Sequence, residues 1–140
     1  MVKICYIVAA LIGAASLAGA AIANPARDAI LARILAQAKV ESPGFAAFSP
    51  QRGETLFRAK HLGGKDDTPS CTACHTDKPQ GVGQTRAGKP IEPMALSKTP
   101  DRYADAEKIE KWFDRNCKGV LGRICTAAEK GDFLSYMISQ

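Results

Sequence analysis

The sequence is poor in the residues that build strands and in those that serve acid–base chemistry. Aromatic residues make up 6 % of the 140 residues, and few β-branched or aromatic runs have period two. We therefore expect little or no strand. Only two histidines are present, His61 and His75, and no basic run is dense enough to indicate nucleic-acid binding. Helices and cysteine chemistry remain as the informative features.

The chain opens with an apolar run that is typical of a secretory signal. A short positive start, Met1 to Lys3, precedes the nearly uncharged stretch from Ile4 to Gly19, and Ala21-Ile22-Ala23 forms a small-x-small site before Asn24. A retained membrane helix is the alternative, but the run is short for a span and no basic stop-transfer cluster follows. We predict that residues 1–23 are a signal peptide cleaved near Ala23 and that the protein is exported to the periplasm.

Cleavage leaves 117 residues, enough for one small domain. Cys5 leaves with the signal, so four cysteines remain, as expected in an oxidising compartment. Loss of Lys3 lowers the formal charge from +5 to +4, a mildly basic balance that favours acidic partners.

Capping signals predict four helices in the mature chain. The third is expected from Ala106 to about Asn116, and Gly63-Gly64 is expected to close the second. The predicted N-cap residues are Asn24, Ser49, Asp105 and Thr126, the last in a capping box with Glu129. The division that follows is a signal over 1–23, an N-terminal helical extension over 24–48 and a domain over 49–140.

The stretch from Pro69 to Pro100 is rich in proline and glycine and has no sustained period. A connection of that length is unusual in a compact domain unless it wraps something. Because the chain is too small for a large core, a bound group could fill the centre.

Within that stretch, Cys71-Thr72-Ala73-Cys74-His75 reads C-x-x-C-H, the pattern that attaches c-type haem. The two thiols add to the two vinyl groups, and His75 then lies under the iron as proximal ligand. A thioredoxin-like pair would need a βαβ context. A zinc site with Cys117 and Cys125 is a further alternative, although export favours oxidation of that second pair.

The segment before the motif, "GETLF" from Gly53 to Phe57, resembles the N-terminal helix of class I cytochromes c. In those proteins a glycine and an aromatic residue contact the C-terminal helix, for which "FLSYM" is the counterpart here. We predict an all-α, class I-like cytochrome c in which four or so helices wrap one covalently attached haem c.

The ligand on the other face of the iron decides the function. Met94, in "PIEPMALS", would give an electron carrier, or it packs on the haem edge. Met137 fits the core, and His61 fits a solvent-exposed helix end.

Asn116 is a further candidate. Ile109, Trp112, Phe113 and Asn116 are spaced i, i+3, i+4 and i+7, which predicts a buried face with the amide at its end. Helix capping by the same amide explains the pattern equally well. Cys117 and Cys125 enclose a short glycine-containing loop, and a bridge there would contribute about 2.5 kcal/mol and fix the backbone beside Asn116. Stabilisation of a small secreted domain would by itself explain such a bridge.

The segments "KWFDRNCKGVLGRICTAAEKGDFLSYM", "SCTACH" and "PMALSKTPDRY" resemble the sphaeroides heme protein group of high-spin c-type cytochromes, over roughly Ser49 to the C-terminus. The predicted helix Asn24 to Val40 lies outside this matching region. The resemblance implies His75 as proximal ligand and Asn116 as a labile distal ligand that leaves on reduction. It also implies binding of oxygen or nitric oxide to the ferrous haem, and a disulfide between Cys117 and Cys125. The partners it implies are a periplasmic multihaem cytochrome or a membrane cytochrome b.

Three functions follow as hypotheses. The first is a redox protein that binds a small ligand, and the second is a low-spin electron carrier that uses Met94. The third is an enzyme such as a peroxidase or nitric oxide dioxygenase, for which only His61 could supply a distal acid–base group, so we do not expect enzyme activity. Basic candidates for the haem propionates are Arg86, Lys89 and Arg102.

Overall fold

The computed structural model describes residues 23–140, so the predicted signal, apart from Ala23, lies outside the described residues. Over this range the chain forms five helices and one small ribbon, which confirms the all-α expectation. The elements are α1 (Pro25–Glu41), α2 (Pro50–Arg58), α3 (Thr72–His75), β1 (Gly83–Gln84), β2 (Pro90–Ile91), α4 (Ala106–Leu121) and α5 (Ala127–Ile138). None of the helices in residues 23–140 has the length and apolarity needed to span a membrane.

The predicted helix starts are confirmed. The side chains of Asn24, Ser49 and Asp105 each accept a hydrogen bond from the first turn of their helix. Thr126 and Glu129 form both halves of the capping box. Local side-chain chemistry therefore fixes where the helices begin.

The predicted helix ends are less accurate. α2 ends at Arg58, before Gly63-Gly64. α4 does not stop near Asn116 but continues to Leu121, where Gly122 adopts a left-handed conformation with φ of 70°. Gly122, rather than Asn116, therefore ends α4.

α2 and α5 cross at Gly53, as the likeness to class I cytochromes predicted. A Cβ at this position would lie 2.0 Å from the carbonyl oxygen of Asp132, so the two backbones touch there. Phe57, with no exposed surface, packs its ring against Phe133 and Tyr136 at centroid distances of 6.2 and 5.9 Å. α2 and α5 therefore pack directly against each other at Gly53 and Phe57.

α1 packs into the core of the protein. Ile30, Ile34 and Ala38 lie buried in one cluster with residues of α4 and α5, including Phe113 and Leu134. The division after residue 48 stays a prediction, and the predicted extension shares this cluster with the predicted domain. The apolar spacing in α1 was visible in the sequence, but its packing partner, α5, is more than 80 residues away along the chain.

The middle of the chain contains more structure than expected. β1 and β2 pair antiparallel, with Gly83 opposite Ile91. A Cβ on Gly83 would lie 2.3 Å from the carbonyl oxygen of Cys74, so the ribbon packs directly on α3. Strands of two residues are too short to show a period, which is why the sequence did not predict them.

Candidate haem centre

α3 carries the C-x-x-C-H motif on a single turn. Cys71 is its N-cap residue, and the amide of His75 donates to the carbonyl oxygen of Cys71 at 3.1 Å. Both cysteines are free thiols and half-buried. Thr76, with φ of 61°, ends the turn. The helical turn brings the two thiols and the imidazole together, which is the arrangement that thioether attachment and iron ligation require.

Burial governs the protonation of these groups. It raises the pKa of the Cys71 thiol to about 11, with a smaller contribution from neighbouring Cys74. It lowers the pKa of His75, and the positive charge of Arg102 lowers it further. The imidazole is therefore neutral at pH 7, the form that ligates metals. Its Nδ1 is buried without a hydrogen-bond partner in the described part of the chain. Two free thiols beside a neutral imidazole fit covalently attached haem c.

The expected apolar face of α4 is only half buried. Ile109 and Phe113 lie in the core, whereas Trp112 is 45 % exposed and Asn116 is exposed. Ile109, Phe113 and Cys117 form the side of α4 that packs against α1 and α5, and Asn116 is not on it. Trp112 and Asn116 share an adjacent side, one turn apart. Asn116 is five residues from the end of α4, so the capping interpretation is wrong.

Two sets of contacts fix the C-terminal end of α4. The structure joins Cys117 and Cys125 as a disulfide, with their Cα atoms 5.6 Å apart. The carbonyl oxygen of Gly119 accepts from the amide of Lys65 at 2.8 Å and from the hydroxyl of Thr68 at 3.2 Å. The backbone beside Asn116 is thus tied to the segment that leads into α5 and to the loop that leads into Cys71.

The same loop approaches α4 through glycines. A Cβ on Gly63 would lie 2.3 Å from the carbonyl oxygen of Leu121, and one on Gly64 would lie 2.3 Å from that of Gly119. Sequence reasoning missed this contact, because the glycine pair was interpreted only as the end of α2. The pair itself was the available signal, since adjacent glycines also permit close approach of two backbones.

Met94 is held firmly in a second cluster. It is 8 % exposed and packs with Phe57, Tyr136 and Met137, against which Cys71 also lies. Its amide donates to the carbonyl oxygen of Pro79 at 2.8 Å. Its carbonyl oxygen accepts from the hydroxyl of Tyr103 at 2.7 Å. Both backbone groups of Met94 are therefore occupied.

The remaining predicted residues have separate surroundings. The Nε2 of His61 lies 3.0 Å from the carbonyl oxygen of Leu56, so this half-buried side chain folds back onto the last turn of α2 instead of pointing into solvent. Arg86 pairs with Asp67, and Lys89 is exposed. Arg102 is half-buried, and its Nε is buried without a hydrogen-bond partner among residues 23–140.

Comparison with known proteins agrees with this picture. Residues 43–137 match the model of a family described as a domain of unknown function (DUF1924). The chain is 45 % identical to the cytochrome c-type protein SHP of Cereibacter sphaeroides over 130 residues, which is 93 % of this chain and 97 % of that protein. It is 31 % identical to cytochrome c'' of Methylophilus methylotrophus over 100 residues, covering 71 % of this chain and 69 % of that protein. An alignment of 130 residues necessarily includes α1, so confining the resemblance to the part after Ser49 was wrong.

Solved structures give the same relatives. Oxidised SHP, described as an oxygen-binding cytochrome c, matches with a TM-score of 0.70 over 79 % of this chain and 96 % of that one. Oxidised cytochrome c'' matches with a TM-score of 0.69 and 30 % identity over 82 % of this chain and 94 % of that one. The motif on α3, the crossing of α2 and α5 and these relatives lead to one assignment: the chain belongs to the family of SHP-like monohaem c-type cytochromes, with haem c as its covalently attached cofactor.

Proposed function

We propose that this cytochrome is a periplasmic redox protein in which His75 is the proximal ligand and Asn116 a labile distal ligand. Oxygen or nitric oxide would bind when the protein is reduced, and electrons would be exchanged with a periplasmic multihaem cytochrome or a membrane cytochrome b. The observation that carries the proposal is the contrast between Asn116, exposed on a helix whose end is anchored twice, and Met94, buried with both backbone groups bonded.

The haem iron supplies one-electron chemistry and, when reduced, affinity for small diatomic ligands. The chain supplies a neutral amide oxygen from Asn116, a hard and weak donor that suits ferric iron better than the softer ferrous iron. The disulfide and the Gly119 contacts hold the α4 backbone, so the side chain of Asn116 can leave and return without movement of the helix. The relatives support this direction, since SHP is described as oxygen-binding and a cytochrome c'' structure is described through detachment of a haem ligand.

Substitution of Asn116 tests the proposal. Asn116→Ala should keep the haem attached and change the ferric absorption spectrum to that of a five-coordinate or water-ligated iron. Asp114→Ala is the matched control, because Asp114 is also an exposed polar residue of α4. Ferrous spectra with and without carbon monoxide should show an open site in the wild-type protein. An unchanged ferric spectrum in Asn116→Ala would contradict the proposal that Asn116 is the distal ligand.

The rival electron carrier makes the opposite prediction. If Met94 ligates the iron, the ferric wild-type protein should show the red charge-transfer band of methionine ligation, and Met94→Leu should abolish it. The buried position of Met94 beside Cys71 is the observation that keeps this candidate open. Under our proposal the band is absent and Met94→Leu leaves the ferric spectrum unchanged. The enzyme hypothesis would require turnover above that of free haem, lost in His61→Ala.

A further inference from the structure

Arg27, in the first turn of α1, is a charged residue that is buried in the fold. It is 3 % exposed. Its Nε donates to the carbonyl oxygen of Arg102 at 3.2 Å, and its Nη2 donates to those of Pro100 and Arg102 at 2.6 and 3.0 Å. Burial of a guanidinium is costly unless its donors are satisfied. Here the planar fork spans two carbonyls of one short segment, and it thereby fixes that segment relative to α1.

The fixed segment, residues 100–103, in turn holds the segment around Met94. Nη2 of Arg102 donates to the carbonyl oxygen of Glu92 at 2.8 Å, and the hydroxyl of Tyr103 donates to that of Met94 at 2.7 Å. Tyr103 has φ of 65°, a conformation that non-glycine residues adopt only where the surroundings impose it. The bonds from Arg27 to the neighbouring carbonyls are part of that constraint.

Both segments adjoin the haem motif. Tyr103 and Cys71 pack against the same buried cluster. The amides of Met94 and Ala95 donate to the carbonyl oxygen of Pro79, at 2.8 and 2.9 Å, and Pro79 is a fully buried residue four positions after His75. Hydrogen bonds therefore connect α1 with the loop that carries the proximal ligand.

Arg102 has a buried donor available for the cofactor. Its Nη2 donates to the carbonyl oxygen of Glu92, whereas its buried Nε–H has no partner in the described residues. Haem c carries two propionate carboxylates, and guanidinium groups bind carboxylates through charge-assisted hydrogen bonds. An unpaired buried donor beside a haem motif matches that chemistry.

We propose that Arg27 is a positioning residue of the haem site, which fixes residues 100–103 so that the Nε–H of Arg102 donates to a haem propionate. α1 then contributes to the haem site, because its buried Arg27 determines where the side chain of Arg102 lies relative to the cofactor. This inference rests on the family assignment and does not depend on which residue is the distal ligand.

The midpoint potential of the haem tests the proposal. Arg102→Gln removes the positive charge that would lie beside the propionate. Loss of that charge stabilises the ferric form and should lower the midpoint potential. Arg27→Gln should lower it as well, because Arg102 loses its anchor. Arg33→Gln is the matched control, since Arg33 is on the same helix, loses the same charge and is exposed. Its potential should equal that of the wild type.

A double-mutant cycle separates positioning from simple electrostatics. If Arg27 acts through Arg102, Arg27→Gln should produce no further shift in the Arg102→Gln background. A shift that adds fully in the double variant, or an Arg27→Gln potential equal to that of Arg33→Gln, would overturn the proposal. Should Arg27→Gln fail to accumulate with haem, Arg27→Lys provides the test, since it keeps the charge but loses the fork. Its potential should fall by less than that of Arg102→Gln, and an unchanged potential would contradict the proposal.

Discussion

Replacement of Gly53 by alanine is the most direct perturbation of this fold. A Cβ at that position would lie 2.0 Å from the carbonyl oxygen, and 2.5 Å from the carbonyl carbon, of Asp132 in α5. It would also meet the Cβ of Tyr136 at 2.9 Å. The first two atoms belong to the backbone, so no side-chain rotation can relieve the contact, and α2 must move away from α5.

The magnitude follows from two opposing terms. Overpacking of this kind costs about 1 to 3 kcal/mol, and a clash with backbone on both sides belongs at the upper end. Replacing a helical glycine by alanine stabilises the helix by about 1 kcal/mol, because alanine has the higher helix propensity. We expect a net loss of about 2 kcal/mol in the free energy of unfolding, or roughly 10 °C in midpoint temperature for a domain of this size.

The assay is thermal and urea unfolding of the ferric holoprotein, followed by far-ultraviolet circular dichroism and by haem absorbance. Gly44→Ala is the matched control, because a Cβ on Gly44 would have no atom within 4 Å and its φ is not positive. That variant should be unchanged or slightly more stable. A Gly53→Ala protein as stable as the wild type would refute the reasoning, since the two helices could then separate at no cost.

Two further predictions concern α4 and α5. Joint replacement of Cys117 and Cys125 by alanine should lower the free energy of unfolding by about 2.5 kcal/mol, measured by urea unfolding. If the bridge also fixes Asn116, the ferric spectrum should change in the same variant, and an unchanged spectrum would limit the bridge to stability. The Arg123 hydrogen bond, followed by the capping contacts, holds the pKa of Glu129 below 4.5 in the folded protein, so its contribution is present above pH 4.5 and is lost as the pH falls through the folded pKa. Glu129→Gln keeps an oxygen that can accept the capping bond but loses the exposed ion pair with Arg123, so it should cost about 0.5 kcal/mol at neutral pH. The difference from wild type should vanish in acid; a gap that persists there would argue against this linkage.

The parts of the fold that the sequence predicted are those set by local chemistry. N-caps such as Asn24 and Thr126 act within one helical turn, so their effect is visible without the rest of the chain. The C-x-x-C-H motif is local in the same sense. Gly53 was predicted through resemblance, and the structure supplies the physical reason, the direct contact of two backbones.

The parts that were missed depend on distant residues. α4 was expected to end near Asn116, but the Cys117 bridge and the contacts of Gly119 with the 63–68 loop support a further turn. The guanidinium of Arg27 donates to carbonyl oxygens more than 70 residues away along the chain. Because every residue has a backbone carbonyl, the sequence does not show which carbonyls accept these bonds. α1 was predicted as a helix for the right reason, yet its place in the core could not be predicted from its own residues.

Asn116 and Met94 differ in the buried contacts that each side chain would lose if it had to move. Met94 is 8 % exposed in a cluster that Cys71 also contacts; if ligation required its side chain to leave that cluster, the lost burial would cost about 1.5 to 3 kcal/mol. Moving its backbone would also break its bonds to Pro79 and Tyr103, each worth about 1 kcal/mol. Asn116 is exposed on a helix held at its end, so ligation by its amide takes no buried group from the core. Under the proposed function the distal ligand leaves and returns with each redox cycle, so it has to move at low cost. Asn116, which lies outside both buried clusters, suits that proposal better than Met94 does.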